Sequence, residues 1–375
     1  MPNPFVFTRP LGPEELVDRE GEVGQLVSNL EAGVNTRLTS PRDYGKTSLL
    51  ARALWEADRH GMATVRVDLY GARTPAQMAM MIERAYAEQL KSPLRRVFSA
   101  IRRRGAGMGV QTPAGGGSLA LGAATGSGER ELLDLLELPA RLHRRDGTRF
   151  AVAFDEFQVV LASGKGLDGL MRSVIQHHGD AATYVFAGSH PGMMRELFAD
   201  KRRPFYGQTA PIELGPLPDE PLADHIADRF QRANRDPGLA LDWLLDLVTG
   251  HPQRAMLMAH LLYDETPGGE TASEETWAAV LETAWPYIRD DLERTWDGLS
   301  AIESGVVEAA ALSAKGLTAR DTRARFSLPA GSGAPRAAKR LADRGLLVAD
   351  SQRPTGYRIV DPLFGRWVAA GRRWI

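Results

Sequence analysis

Eight consecutive residues, Ser40, Pro41, Arg42, Asp43, Tyr44, Gly45, Lys46 and Thr47, constrain this chain more than any other stretch. A phosphate-binding loop has glycines at both ends of a four-residue gap, followed by Lys and then Ser or Thr. Ser40 stands in the first glycine position here, while Gly45, Lys46 and Thr47 are in place. Such a loop works between a strand and a helix, because backbone N–H groups at the helix N-terminus must point at the phosphates. The flanks meet that demand. Thr36 to Thr39 reads as a short buried strand, and Ser48 to Trp55 has helical spacing and good helix formers. The loop from Ser40 through Ser48 is therefore expected to cradle nucleotide phosphates. Lys46 would reach the β- and γ-phosphates and the Thr47 hydroxyl would bind Mg²⁺. Gly45 permits the close backbone approach.

Phe150 to Phe157 is the second chemical signature. Its first five residues are apolar, the pattern of a central parallel strand buried on both faces. Two carboxylates, Asp155 and Glu156, then follow. Unpaired charge is costly to bury, but open α/β folds place ligands at the carboxyl ends of their strands. Asp155 is expected to hold Mg²⁺, and Glu156 to orient or deprotonate an attacking water. The alternative is a strand end with surface acids. A further core strand, Ala182 to Gly188, leads into Ser189 and His190. Ser189 is expected beside the acid pair, within reach of water or the γ-phosphate. His190 reads equally as a second such group or as a helix-capping or surface histidine.

A chain of 375 residues has room for two or three domains. It lacks cysteine, which excludes disulfides, thiolate zinc sites and a Cys nucleophile. No run of about 18 apolar residues occurs, so no membrane span is expected. The first residues lack the basic segment and apolar core of a secretory signal, and a cytoplasmic location is expected. Net charge is only −1, but it is unevenly spread. Lys315 to Ile375 carries 13 Lys and Arg against 4 Asp, a local +9.

Residues 14–30 read as a helix, with Asp18 either its N-cap or part of a functional string from Val17 to Glu20. Ala63 to Leu69 is a strand whose Asp68 reads as a cap or a site residue. Thr74 to Leu90 and Glu131 to Arg145 are helices. Between them, Arg95, Arg96, Arg102, Arg103 and Arg104 precede a glycine-rich stretch at about 105–129, which reads as a mobile surface insertion. Ala210 to Leu214 is a short edge strand. From Leu217 the pattern is helical only. Gly333 to Arg344 is a helix with Arg336, Lys339, Arg340 and Arg344 on one face, followed by two short strands around a turn. Three helices and a hairpin are the order of a winged helix-turn-helix, and the arginine stripe is a candidate for duplex DNA.

These features together resemble the archaeal-type ATPases, P-loop proteins of the broad AAA+/STAND class that often end in a winged helix. The likeness rests on Val17-Asp-Arg-Glu20, the loop, Phe154-Asp-Glu-Phe-Gln158 and Gly188-Ser189. It continues through Pro204-Phe-Tyr-Gly207, Gly250-His-Pro-Gln253 and Asp361-Pro-Leu-Phe364. It implies an α/β fold: a P-loop NTPase core with a parallel sheet over 1–215, an all-α lid over 216–299 and a winged helix domain over 300–375. It implies a sensor role for Ser189, His251 near the phosphates, Pro252 against the base, and Arg19 lining the base pocket. Catalysis would fall to Lys46, Glu156 and Ser189. Two residues depart from the pattern. Ser40 requires a negative φ, and Gln208 stands where the family often has Arg, leaving Arg202, Arg203 or a partner subunit to substitute. The function implied is a slow ATPase switch that couples ATP, ADP and Mg²⁺ to a DNA-binding C-terminal domain. The alternative is a nucleotide-stabilised DNA-binding or protein-interaction module, with assembly into homo-oligomers on ATP.

Overall fold

The computed structural model describes residues 2–374 except 14, 93, 97 and 100–126. Arg102, Arg103, Arg104 and nearly all of the glycine-rich insertion lie outside the described residues. Five parallel strands form the central sheet: β1 (Thr36–Thr39), β2 (Ala63–Asp68), β3 (Phe150–Asp155), β4 (Ala182–Gly188) and β5 (Ala210–Glu213). Their order is β2-β3-β4-β1-β5, so the loop-bearing strand β1 and the acid-bearing strand β3 flank β4. Register sets Thr39 beside Gly188, and Phe154 beside Phe186. The phosphate loop, the two acids and Ser189 therefore leave the sheet along one edge.

The two faces of the sheet differ in side-chain size, and this positions the loop. On one face β3 presents Phe150, Val152 and Phe154, and β4 presents Tyr184 and Phe186, all fully buried. Phe154 stacks on Tyr184 and Phe186 with ring centroids about 6 Å apart. The other face carries Ala151, Ala153, Val185 and Ala187, against which Leu49, Leu50 and Ala53 of the Lys46–Arg59 helix pack. Small residues let that helix lie close to the sheet. Its N-terminus is thereby held at the carboxyl end of β1.

Some helix boundaries differ from the sequence reading. The helix expected from residue 14 begins at Glu20, because Asp18 has φ +41° and Arg19 is non-helical. Arg19, not Asp18, occupies the N-cap position, and no side chain caps that helix. The helix expected over Glu131 to Arg145 is two, Ser127–Leu136 and Leu138–Asp146, broken where Pro139 enters the first turn of the second. Asp68 accepts a hydrogen bond from Tyr70 N at 2.9 Å and so closes a turn.

Beyond Leu217 come helices at Asp219–Arg232, Ala240–Val248, Pro252–Glu265 and Glu274–Asp297. Ala301–Ala311, Arg320–Arg325 and Gly333–Asp343 follow, then an antiparallel pair, Leu347–Ala349 with Tyr357–Ile359. A closing helix, Pro362–Ala369, was not foreseen, although Asp361 caps it through Leu363 N at 3.0 Å and Pro362 opens it. One hydrophobic core runs continuously from Leu222 to Val368 and takes in Phe5 from the N-terminal segment.

Gly250, between two helices of this body, packs on the linker that leaves β5: Leu217 N donates to its carbonyl at 2.8 Å. Its φ is +73°, and a Cβ there would sit 2.2 Å from Leu217 O. Gly250→Ala is expected to lower stability by at least about 2 kcal/mol from strain and overpacking. An unshifted urea midpoint would contradict this.

Candidate functional site

A cavity of about 390 Å³ opens between the phosphate loop, the acid pair, the start of the Pro252–Glu265 helix and the N-terminal segment. Arg42, Asp43, Gly45, Lys46, Thr47 and Ser48 form its floor. Gly45 adopts φ +84° directly before the Lys46–Arg59 helix, whose first turn has neither a side-chain cap nor an acidic residue. The N–H groups of that turn and the positive end of the helix dipole therefore face the cavity without an internal competitor. Ser40 is absent from the positive-φ residues, so Ser fits where the motif has Gly; the strained position is Asp43, at φ +62°.

Lys46 is buried, and its Nζ donates to Ser40 Oγ at 3.1 Å and Pro41 O at 3.2 Å. Both acceptors are neutral. Burial depresses the ammonium's pKa, opposed by the nearby Glu156 and Asp155 charges. A buried cation whose hydrogen bonds, among the described residues, go to neutral oxygens attracts an anion. Thr47 Oγ1 donates to Asp155 Oδ2 at 3.0 Å, so two hard oxygen donors meet beneath Lys46. That pair fits Mg²⁺, which takes one or two protein oxygens with phosphate oxygens and water.

Glu156 has φ +55°, and this left-handed turn sets its carboxylate at the cavity edge. Ser189 Oγ donates to Glu156 Oε2 at 2.7 Å, and Gln158 Nε2 donates to the same oxygen. Gln158 also lies 3.1 Å from His190 Nδ1. His190 is thus in this polar chain, and burial lowers its pKa. The chain is held from behind by Gly188, where a Cβ would meet Met194 Sδ at 2.4 Å and Gln158 Oε1 at 2.5 Å.

The remaining predicted residues lie further out. Pro252 lines the cavity, with Met256 one turn on. Arg19 lines a small adjoining pocket with Tyr44, Gly45 and Pro252, its guanidinium bonded to Glu22 at 2.8 Å and to Gly215 O. His251 does not reach the loop cavity. It is a buried N-cap that accepts from Arg254 N and packs edge-on against Tyr44, with centroids 4.9 Å apart. Gln208 precedes β5 at the opposite end of the sheet, where Arg172 donates to it at 2.8 Å. Arg202 pairs with Asp200, and Arg203 with Glu196 and Asp168, so neither turns to this cavity as the sequence reading allowed.

Arg336, Lys339 and Arg340 are exposed on the Gly333–Asp343 helix. Arg344, expected on the same stripe, follows the helix end and turns toward the loop side of the molecule. Arg340 and Arg344 flank the buried Glu303 at 3.4 and 3.6 Å. The helix end is docked on the core: Arg195 bonds Asp343 at 3.0 Å, and Gly192 leaves no room for a Cβ against Asp343.

Three features escaped the sequence reading. Val6 to Leu11 wall the cavity, with Leu11 N donating to Ser48 Oγ at 3.0 Å; the only hint was alternate Phe5 and Phe7 in a proline-rich stretch. Gln253 lines the cavity, and its buried Oε1 has no hydrogen-bond partner among the described residues. Tyr44, inside the loop, donates to Val360 O at 3.2 Å, tying the loop to the C-terminal elements.

No family model matches this sequence, and no curated protein sequence does either. Solved structures do match. The Walker-type ATPase of Pyrococcus abyssi superposes with a TM-score of 0.69 at 20% identity, over 96% of this chain and 98% of that one. The ORC2 protein of Aeropyrum pernix, in its ADPNP-ADP complexes, gives 0.61 at 17% identity over 95% and 93%. Its ADP form gives 0.54 over the same shares. The chain therefore has the fold of archaeal Walker-type and Orc ATPases along nearly its whole length.

Asp155 provides a test of the site's electrostatics. Burial raises its pKa, opposed by the Thr47 hydrogen bond and Lys46. The folded state then binds the proton more tightly than the unfolded chain, so stability falls as pH rises through the folded pKa. Asp155→Asn is expected to raise the melting temperature of the ligand-free protein at pH 7, with the gain shrinking as pH falls through the folded pKa and lost below about pH 4. Equal gains at both pH values in a thermal scan would contradict this.

Proposed function

We propose that this chain binds ATP with Mg²⁺ and hydrolyses it slowly, as a switch that communicates with its C-terminal winged-helix elements. The observation that carries this is the joint geometry of Lys46, hydrogen-bonded among the described residues to neutral oxygens alone, Thr47 on Asp155 and Glu156 at one cavity edge. Lys46 and the open helix N-terminus would hold the phosphates. Thr47 and Asp155 would hold Mg²⁺, which supplies charge neutralisation of the β- and γ-oxygens. Pro252, Met256 and the Val6–Leu11 wall would cover the nucleoside.

Ser189 and Gln158 both donate to Glu156 Oε2, which leaves Oε1 without a partner among the described residues. Glu156 would use Oε1 to accept the proton of a water attacking the γ-phosphorus, as the β–γ bridging bond breaks and ADP leaves. Ser189 then reads the γ-phosphate and Glu156 together. Loop and C-terminal elements are joined by Tyr44 and Val360, which supports transmission of the loop's state.

Duplex DNA is the proposed partner of Arg336, Lys339 and Arg340, whose exposure supports phosphate contact. A second reading, a nucleotide-stabilised interaction module, is favoured by the docking of the Gly333–Asp343 helix end on the core. In trans, the Gln208 end of the sheet would face a neighbour only in an assembly.

ATP turnover with and without duplex DNA separates these readings. Lys46→Ala is expected to abolish ATP binding. Glu156→Gln is expected to keep binding and lose turnover by about 10²-fold or more. DNA-independent turnover would favour a protein partner, and tight binding without turnover the interaction module. Reversal of Arg336 and Arg340 to Glu is expected to abolish duplex binding at low salt; an unchanged gel shift would remove that helix from the DNA surface.

A further inference from the structure

A second cavity, also about 390 Å³, lies across the phosphate loop from the first, where loop, helical body and C-terminal elements meet. The two cavities share only Arg42 and Asp43. None of Gly45 to Ser48 reaches the second one.

Its charges are unequally satisfied. Four arginines face three aspartates across it. Two of those aspartates are engaged by one residue: buried Arg254 bonds Asp361 at 2.7 and 3.1 Å and Asp291 at 2.9 Å. Arg42, Arg294 and Arg344 are left with Asp43 alone on the lining. Arg42 and Arg294 make no ion pair among the described residues, and Arg344 shares Glu303 with Arg340 at 3.6 Å. Three exposed guanidiniums lining one concavity make it locally positive, and planar guanidinium is the natural phosphate ligand. The opposite wall is apolar, from Leu292, Leu346, Val360 and Phe364. The volume lies within the range of small-molecule sites.

We propose that this cavity is a second ligand site, for a small phosphorylated metabolite. Its phosphate sits among Arg42, Arg294 and Arg344, and its organic part packs toward Phe364. Because the walls come from the phosphate loop, the helical body and the C-terminal segment, the bound ligand clamps those three elements together. The inference stands on this cavity's own lining and does not require turnover in the first.

Inorganic pyrophosphate, titrated calorimetrically into the full chain saturated with ADP, tests it. One further site is expected, weakened at least tenfold in Arg294→Glu and in Arg344→Ala, with ADP affinity unchanged in both. Lys46→Ala is expected to keep this site while losing ADP, so failure of the proposed ATP site is seen separately. Three results would overturn the proposal: no pyrophosphate binding at millimolar concentration, binding indifferent to both substitutions, or ADP and pyrophosphate weakened by the same factor. The last would make the cavity an extension of the first. Circular dichroism checks that the variants, both at exposed arginines, remain folded.

Discussion

A buried ammonium that is hydrogen-bonded, among the described residues, to neutral oxygens alone is the constraint on which the site depends. Lys46 sits at the start of a helix whose first turn is uncapped, and both features concentrate positive potential at one point. Neither is stabilising in isolation. They persist because the rest of the core over-determines them. The aromatic face of the sheet, with Phe154, Tyr184 and Phe186 in register, fixes β3 and β4. The alanine face fixes the helix. Strain at Asp43 and Glu156 belongs to the same pattern, since left-handed backbone at non-glycine residues costs of order 1–3 kcal/mol and needs a rigid surround.

The loop is also a mechanical junction. Tyr44 reaches Val360, and His251 packs on Tyr44 while its neighbour Arg254 grips Asp361. A Cβ at Gly345 would lie 3.5 Å from Ser189 O, so the chain after the Gly333–Asp343 helix passes close to the end of β4. Loop, Ser189 and C-terminal elements thus come together within one small region. The continuous core from Leu222 to Val368 means that the helices after Leu217 and the C-terminal elements share their packing, so movement of one part is resisted by the other.

Much of this was legible in the sequence, for identifiable reasons. All five core strands were readable, because β3 and β4 are nearly unbroken apolar runs and a glycine-lysine-threonine follows β1. The proximity of loop, acids and Ser189 followed from chain ends meeting at one sheet edge. What depends on three-dimensional closure was not legible. Residues 6–11 become a wall only because Phe5 finds Phe230 and Tyr263 in distant helices. His251 has the same local sequence whether it faces a phosphate or caps a helix behind Tyr44. Arg344 continues a helical stripe on paper, yet the helix ends at Asp343. Gln208 shows its distance from the loop only once the strand direction is known.

The N-terminal segment acts as a tether of fixed length. Phe5 is locked among the helices of the C-terminal body, and His260 lies 2.7 Å from its carbonyl. Leu11 is bonded to Ser48 in the sheet-bound helix, and Pro13 O to Arg52. Five residues separate the two anchors, and the six steps from Phe5 to Leu11 span about 20 Å at full extension. While both anchors hold, that contour caps how far the two bodies can part across the loop cavity. The molecule therefore carries its own travel stop, and the amplitude of any opening is written into the spacing of Phe5 and Leu11.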